Sequence, residues 1–161
     1  MDTQSLIALL QLEPHIEGGY FRRSYQSAIS SVGTDGQSRS LMSSIYYLLT
    51  EDSPTGHWHC NQSDIIHYWQ HGSEISYYTI SPEGDWQHTL LGPDLRAGQQ
   101  LQLVVPGGYW KASHLTRGKY GLISEAVCPG FDYQDMVLAE PETMKKHFPQ
   151  HWSKIQDYIK T

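Results

Sequence analysis

The sequence predicts an all-β domain of sandwich or closed-barrel type with a short helix at each end. Three observations carry this. From Leu41 onward, short runs of β-branched and aromatic residues alternate with turn signals, among them Ser53-Pro54-Thr55-Gly56, His71-Gly72, Gly92-Pro93-Asp94, Pro106-Gly107-Gly108 and Cys128-Pro129-Gly130. The chain has 161 residues, enough for one full core and too few for two ordinary ones, so residues 1–161 are read as one domain. Its 5 Trp, 11 Tyr and 3 Phe bring large buried areas, many with a polar tip, which suits walls that are half core and half pocket.

Along the chain, Thr3 to Leu12 reads as a short amphipathic helix, with Leu6, Leu9 and Leu10 on one face and Pro14 ending it. Residues 27–40, polar and rich in Gly and Ser, mark a loop or hairpin tip. Strands are predicted near 42–49, 57–60, 65–70, 74–80, 86–91, 101–105, 109–114, 120–127 and 133–138. After Pro141, the residues Met144, Phe148, Trp152, Ile155 and Ile159 recur at helical intervals, with Pro149 as a break or restart.

Composition narrows the partners. A formal charge of −6, with only 11 Lys and Arg scattered along the chain, argues against nucleic acid. No apolar run approaches a membrane span, and the N-terminus carries an acid where a secretory signal has positive charge. Cys60 and Cys128 are too few for a disulfide framework and are expected as reduced thiols in a cytoplasmic protein.

Four segments read in order carry a family likeness. They are Glu17-Gly18-Gly19-Tyr20-Phe21-Arg22-Arg23-Ser24-Tyr25, then His59 with Ser63-Asp64 and Gly72, then Val105-Pro106-Gly107-Gly108-Tyr109-Trp110, and finally Val127-Cys128-Pro129-Gly130-Phe131. With the closing Phe148-Pro149 they resemble the cupin-5 branch of the cupin superfamily over nearly the whole chain. The resemblance implies a double-stranded β-helix (a jelly-roll barrel), a homodimer, and a small-molecule cavity inside the barrel. It implies no particular reaction.

The general cupin pattern of metal ligands has two histidines one residue apart, then an acid, then a distant histidine. Residues i and i+2 of a strand share a face, so His57 and His59 would reach one divalent ion, with Asp64 as the acid. Two positions depart from the pattern. Lys111 falls where the distant ligand is expected, with His114 substituting only in a shifted register, and Ile65 stands where the branch generally has an acid.

Ile65, His67 and Trp69 share a strand face, and the resemblance implies that this face lines the cavity, because Ile65 stands at the branch's acidic position. His67 would then suit proton abstraction beside a carbonyl, or would only hydrogen-bond a ligand or a Tyr; a slip of one residue would bring Tyr68 inward instead. Tyr20 and Arg22 are read as a stacking ring and an anion clamp at the barrel mouth, or as parts of an edge strand ordering a dimer. The same segment faintly resembles the Arg-Gly-x-Phe stretch of dTDP-sugar 3,5-epimerases, which are metal-free cupins. Of Trp110 and Lys111 only one can face the cavity, and Glu125 on the face of Ile123 and Val127 lines the pocket or pairs with a base.

Three functions follow as expectations. The first is a small-molecule-binding cupin acting as a metal-independent isomerase or epimerase on a sugar-like or keto-acid ligand, with His59 and His67 as acid–base groups and Tyr20, Arg22, Trp69, Lys111 and Glu125 as ligand contacts. The second is a metal-dependent dioxygenase or lyase using His57, His59 and Asp64. The third is a non-catalytic binding or sensor protein.

Overall fold

The computed structural model of the chain describes residues 2–160. Helix α1 (Thr3–Leu10) leads into β1 (Glu13–Pro14), β2 (Tyr20–Gln26), β3 (Ser30–Val32), β4 (Ser38–Ser40) and β5 (Ser43–Thr50). The central strands are β6 (Thr55–Asn61), β7 (Asp64–Gly72), β8 (Ile75–Ile80) and β9 (Trp86–Leu91). They are followed by β10 (Gln102–Val105), β11 (Trp110–His114), β12 (Tyr120–Cys128) and β13 (Met136–Leu138). Helices α2 (Pro141–His147) and α3 (Trp152–Ile155) close the chain.

The strands form two facing antiparallel sheets, one in the order β1-β2-β5-β12-β7-β10 and the other β13-β6-β11-β8-β9. This is the jelly-roll barrel. The polar stretch 27–40 contains a hairpin, β3–β4, standing outside both sheets. It is tied down by Arg39, whose Nε and Nη2 donate to the two carboxylate oxygens of Asp135 at 2.7 and 2.8 Å. Asp135 lies in the turn before β13, so this fork fixes the neighbouring Phe131 and Tyr133 at one rim of the barrel.

Helix α1 is capped by the Asp2 side chain, which accepts from the Ser5 amide, and ends when Gln11 turns left-handed at φ 54°. It therefore stops before Leu12. Leu6 and Leu12 pack on Leu48 and Leu122, covering the outer face of the first sheet. The C-terminal helices do the same for the second sheet, where Met144, Phe148, Ile155 and Ile159 pack on Trp58 and Ile80. Among the described residues no helix is long and apolar enough to cross a membrane.

The interior is divided along its length. Tyr47, Leu49, Ile75, Tyr77, Leu103 and Ile123 form an apolar plug at one end. The same strands continue past it into a cavity of about 300 Å³, which Ile45, Ile65 and Val127 line at the other end. Glu125 and His67 sit at the boundary, each one strand period (two residues) from a plug residue.

Candidate functional site

The cavity wall nearest the chain start is built by the turn His15–Gly19. Gly18 holds φ +96°, and a Cβ there would collide with the Thr55 carbonyl, so the turn sits directly against β6. The His57 amide donates to the Glu17 carbonyl at 2.6 Å and the Tyr47 hydroxyl to the Gly18 carbonyl at 2.9 Å. Stitched this way, the turn drives the Glu17 side chain into the barrel, where the residue is 8% exposed. Its Oε2 lies 3.3 Å from His59 Nε2 and 3.5 Å from His15 Nδ1.

Protonation follows from the contacts. His59 Nδ1 is 2.7 Å from the His57 carbonyl, which only accepts, so Nδ1 carries the hydrogen and Nε2 offers a lone pair to Glu17. Burial pushes the His59 imidazole down to about 3 and the Glu17 carboxyl up to about 8. At neutral pH the close contact is therefore a hydrogen bond from a carboxylic acid to a neutral imidazole, not an ion pair. His15, pushed down to about 4 by burial, is neutral as well and accepts the Glu17 amide hydrogen at Nδ1.

A second chain of contacts begins on the neighbouring strand, where Lys111 pairs with His59. Lys111 Nζ donates to His67 Nε2 at 3.1 Å, which places the His67 hydrogen on Nδ1. Nδ1 lies 3.1 Å from Glu125 Oε1 and 3.3 Å from the Tyr77 hydroxyl. Burial opposes charge on Glu125, but Lys111 and His67 together outweigh it and hold the carboxyl below the usual carboxylate range. Burial lifts the Tyr47 and Tyr77 hydroxyls well above 10, so both remain neutral donors. Lys111 and Glu125 line the cavity, whereas His67 is fully buried behind them.

Several sequence-based placements change. Tyr20 and Arg22 lie on the outer face of the first sheet: Tyr20 packs against the α1 cluster and Arg22 sits over the Tyr46 ring at 5.6 Å. In β2 the cavity residues are Phe21 and Arg23, because Phe21 pairs with Tyr47 and Arg23 with Ile45 on the inward face. Trp69 shares the inner face with His67 but packs in the plug, away from the cavity lining. Lys111 takes the inward position and Trp110 packs outward against the C-terminal helices.

His57 and Asp64 do not converge on His59. The pairing of β6 with β11 shifts between Lys111↔His59 and Ser113↔Gly56, so three steps on β6 oppose two on β11. This β-bulge breaks the two-residue alternation, leaves Gly56 and His59 inward, and turns His57 out to donate to the Tyr158 carbonyl at 3.2 Å. Asp64 instead accepts the Gly107 amide at 2.8 Å on an exposed turn. His114 bonds Thr55 Oγ1 and packs near Tyr158, outside the cavity. Among the described residues no three His, Cys, Asp or Glu side chains are arranged to hold a metal ion. The donors present do not fit the metal set of the general pattern.

Sequence reasoning passed over His15, Glu17, Phe21 and Arg23. The signal was in the first family segment, where an acid stands directly before Gly18-Gly19. Two successive glycines allow a turn tight enough to insert the preceding side chain.

Comparison with known proteins places this geometry. A family model described as Cupin superfamily (DUF985) matches residues 4–139. The chain belongs to that family. An uncharacterized protein of Saccharomyces cerevisiae is 39% identical to this cupin over 158 residues, covering 89% of this chain and 78% of the yeast protein. A hypothetical protein from Leishmania major superposes with a TM-score of 0.94 at 29% identity, covering 100% of both chains. A protein from Shewanella oneidensis gives 0.91 at 34% identity, covering 99% of this chain and 98% of that one. Oxalate decarboxylase from Bacillus subtilis gives 0.56 at 13% identity, covering 90% of this cupin and 36% of that chain, which shows a shared fold.

Proposed function

We propose that this cupin binds a small carbonyl-bearing molecule, sugar-like or a keto acid, and moves a proton on it as a metal-independent isomerase or epimerase. The observation that carries the reading is the Glu17–His59 pair in the cavity wall. With its carboxyl pushed up to about 8, Glu17 is protonated at rest and a strong base when ionised, the match to neutral pH that acid–base catalysis requires. The ionised fraction of Glu17, its proton released to solvent, is the base, and His59 Nε2 orients the carboxyl by accepting its hydrogen bond in the protonated state. The Lys111 ammonium steadies the carbonyl oxygen while Glu17 takes a proton from the adjacent carbon and returns it to that carbon or its neighbour. His67 acts through Lys111, without contact to the ligand.

The test is deuterium wash-in from heavy water over a panel of keto acids and open-chain sugars, followed by mass spectrometry. Exchange is expected at the carbon next to the carbonyl, with loss of about 100-fold or more in Glu17→Gln and His59→Ala. No exchange from a ligand that demonstrably binds would make the protein a binder or sensor. The metal-dependent reading predicts one equivalent of divalent ion in the purified protein, removed by His59→Ala.

The same reading takes the protein as a cytoplasmic homodimer. Cys60 and Cys128 are free thiols, which suits a reducing compartment. Ile29, Val32, Leu41 and Met42 are exposed on and beside the β3–β4 hairpin, and Arg22 Nε on the outer sheet face is buried without a hydrogen-bond partner among the described residues. A second copy would cover the first and supply an acceptor to the second.

A further inference from the structure

Among the described residues Lys111 is the one buried lysine; Lys119, Lys145, Lys146, Lys154 and Lys160 are all exposed. A buried amine on a cavity wall needs a reason, because a surface cation would cost far less desolvation. Its partners are arranged in series: Glu125 faces the His67 Nδ1 hydrogen, and the His67 Nε2 lone pair faces Lys111 Nζ. This is the order of acid, base and nucleophile found in activated-nucleophile sites, with an amine in the nucleophile's place.

We infer that Lys111 is a nucleophile that forms an imine with a short aldehyde or ketone in the cavity, with His67 as the base and Glu125 orienting it. The inference rests on the small-molecule reading of the cavity given above.

The proton balance closes within residues already in place. The Lys111 ammonium passes one proton to His67 Nε2, and the free ζ-nitrogen attacks the carbonyl carbon. A C–N bond forms, and the π pair of the carbonyl moves to oxygen, which takes the Glu17 acid proton. Glu17 then removes a second proton from the nitrogen and delivers it to the hydroxyl. The hydroxyl departs as water while the C=N bond forms.

At the end the ligand is an iminium, His67 carries the proton that began on Lys111, and Glu17 is ionised. Charge is conserved, and no oxidant or co-reactant is consumed. Glu125, with Oε2 4.0 Å from Nζ, is the counter-ion of the iminium. Glu17, Lys111 and Glu125 all line both the cavity and the narrow crevice behind it, so the proton donor and the amine open onto one space. An ionised Glu17 beside an iminium is also well placed to take the proton on the neighbouring carbon.

The test is reductive trapping of the full chain with sodium cyanoborohydride and either glyoxylate or glyceraldehyde, followed by peptide mass spectrometry. The expected result is a gain equal to the probe mass less one oxygen on the peptide carrying Lys111, at least tenfold faster than on the exposed lysines. Lys111→Arg should abolish that adduct. His67→Phe should slow the trapping about tenfold and move its pH dependence upward, which a merely structural role would not do.

Labelling of the exposed lysines at the Lys111 rate, or an unmodified Lys111 with both probes, overturns the inference. Deuterium exchange without trapping would leave the isomerase reading standing and remove the imine. Trapping without exchange would do the reverse.

Discussion

Glu17 dominates at the scale of single residues because its proton affinity differs so much between folded and unfolded chains. Unfolded, its carboxyl titrates near 4.5; folded, burial lifts it to about 8. The folded state therefore holds a proton that the unfolded state has lost across this window. Its contribution to stability is full below 4.5, shrinks as pH rises, and is gone above about 8. His59 and His15 run the other way: pushed down from 6.5 to about 3 and about 4, they cost stability as pH falls below 6.5. Stability should thus peak near pH 6.5 and decline on both sides. Glu17→Gln should remove the alkaline decline, gaining on the parent by at most about 1.4 kcal/mol per pH unit across the window. Urea midpoints at several pH values check this; an unchanged alkaline limb would show that Glu17 is ionised in the folded protein. For activity the sign follows from Glu17 as base: kcat/KM should rise with pH and level off above about 8.

At the scale of elements, the bulge in β6 decides which side chains the barrel interior receives. Gly56 is the residue that permits it, since a Cβ there would meet Ser113 Oγ and, at 2.6 Å, the Tyr47 hydroxyl. Gly56→Ala should cost about 1–3 kcal/mol as overpacking, read as a lowered urea midpoint. Gly18→Ala should cost stability and function together, because φ +96° disfavours a side chain and the Cβ would push the Glu17 turn off the Thr55 carbonyl; urea midpoints and wash-in rates per folded molecule check the two effects. The strands themselves were legible in the sequence because turn residues punctuate them. Alternation put His67 and Glu125 on inward faces, where the structure has them. A bulge leaves no comparable mark, since His57-Trp58-His59 has the same letters whether or not the strand is regular. Tyr20 and Arg22 were drawn to the cavity by chemistry alone, whereas the pairing of Phe21 with Tyr47 fixes the opposite face. Composition marked 27–40 as a loop or a hairpin tip without choosing between them, because the Arg39–Asp135 fork that orders the hairpin joins residues far apart in sequence.

For the molecule as a whole, the two outer faces differ. The second sheet is roofed by its own C-terminal helices, while α1 covers only part of the first. Sedimentation should accordingly give a mass near twice the 18.4 kDa of the chain at micromolar concentration, and Arg22→Ala should shift the population toward monomer. A single 18.4 kDa species would remove the dimer.

The C-terminal roof also bears on the interior. The Trp58 indole donates to the Ile155 carbonyl at 3.1 Å and the His57 ring to the Tyr158 carbonyl, so the last turns of the chain grip both residues that the bulge turns outward. For a protein engineer this sets the order of work. Grafting a histidine-rich ion site into this barrel would begin outside it, by trimming that grip and shortening β6 by one residue, before any ligand at Lys111 was exchanged.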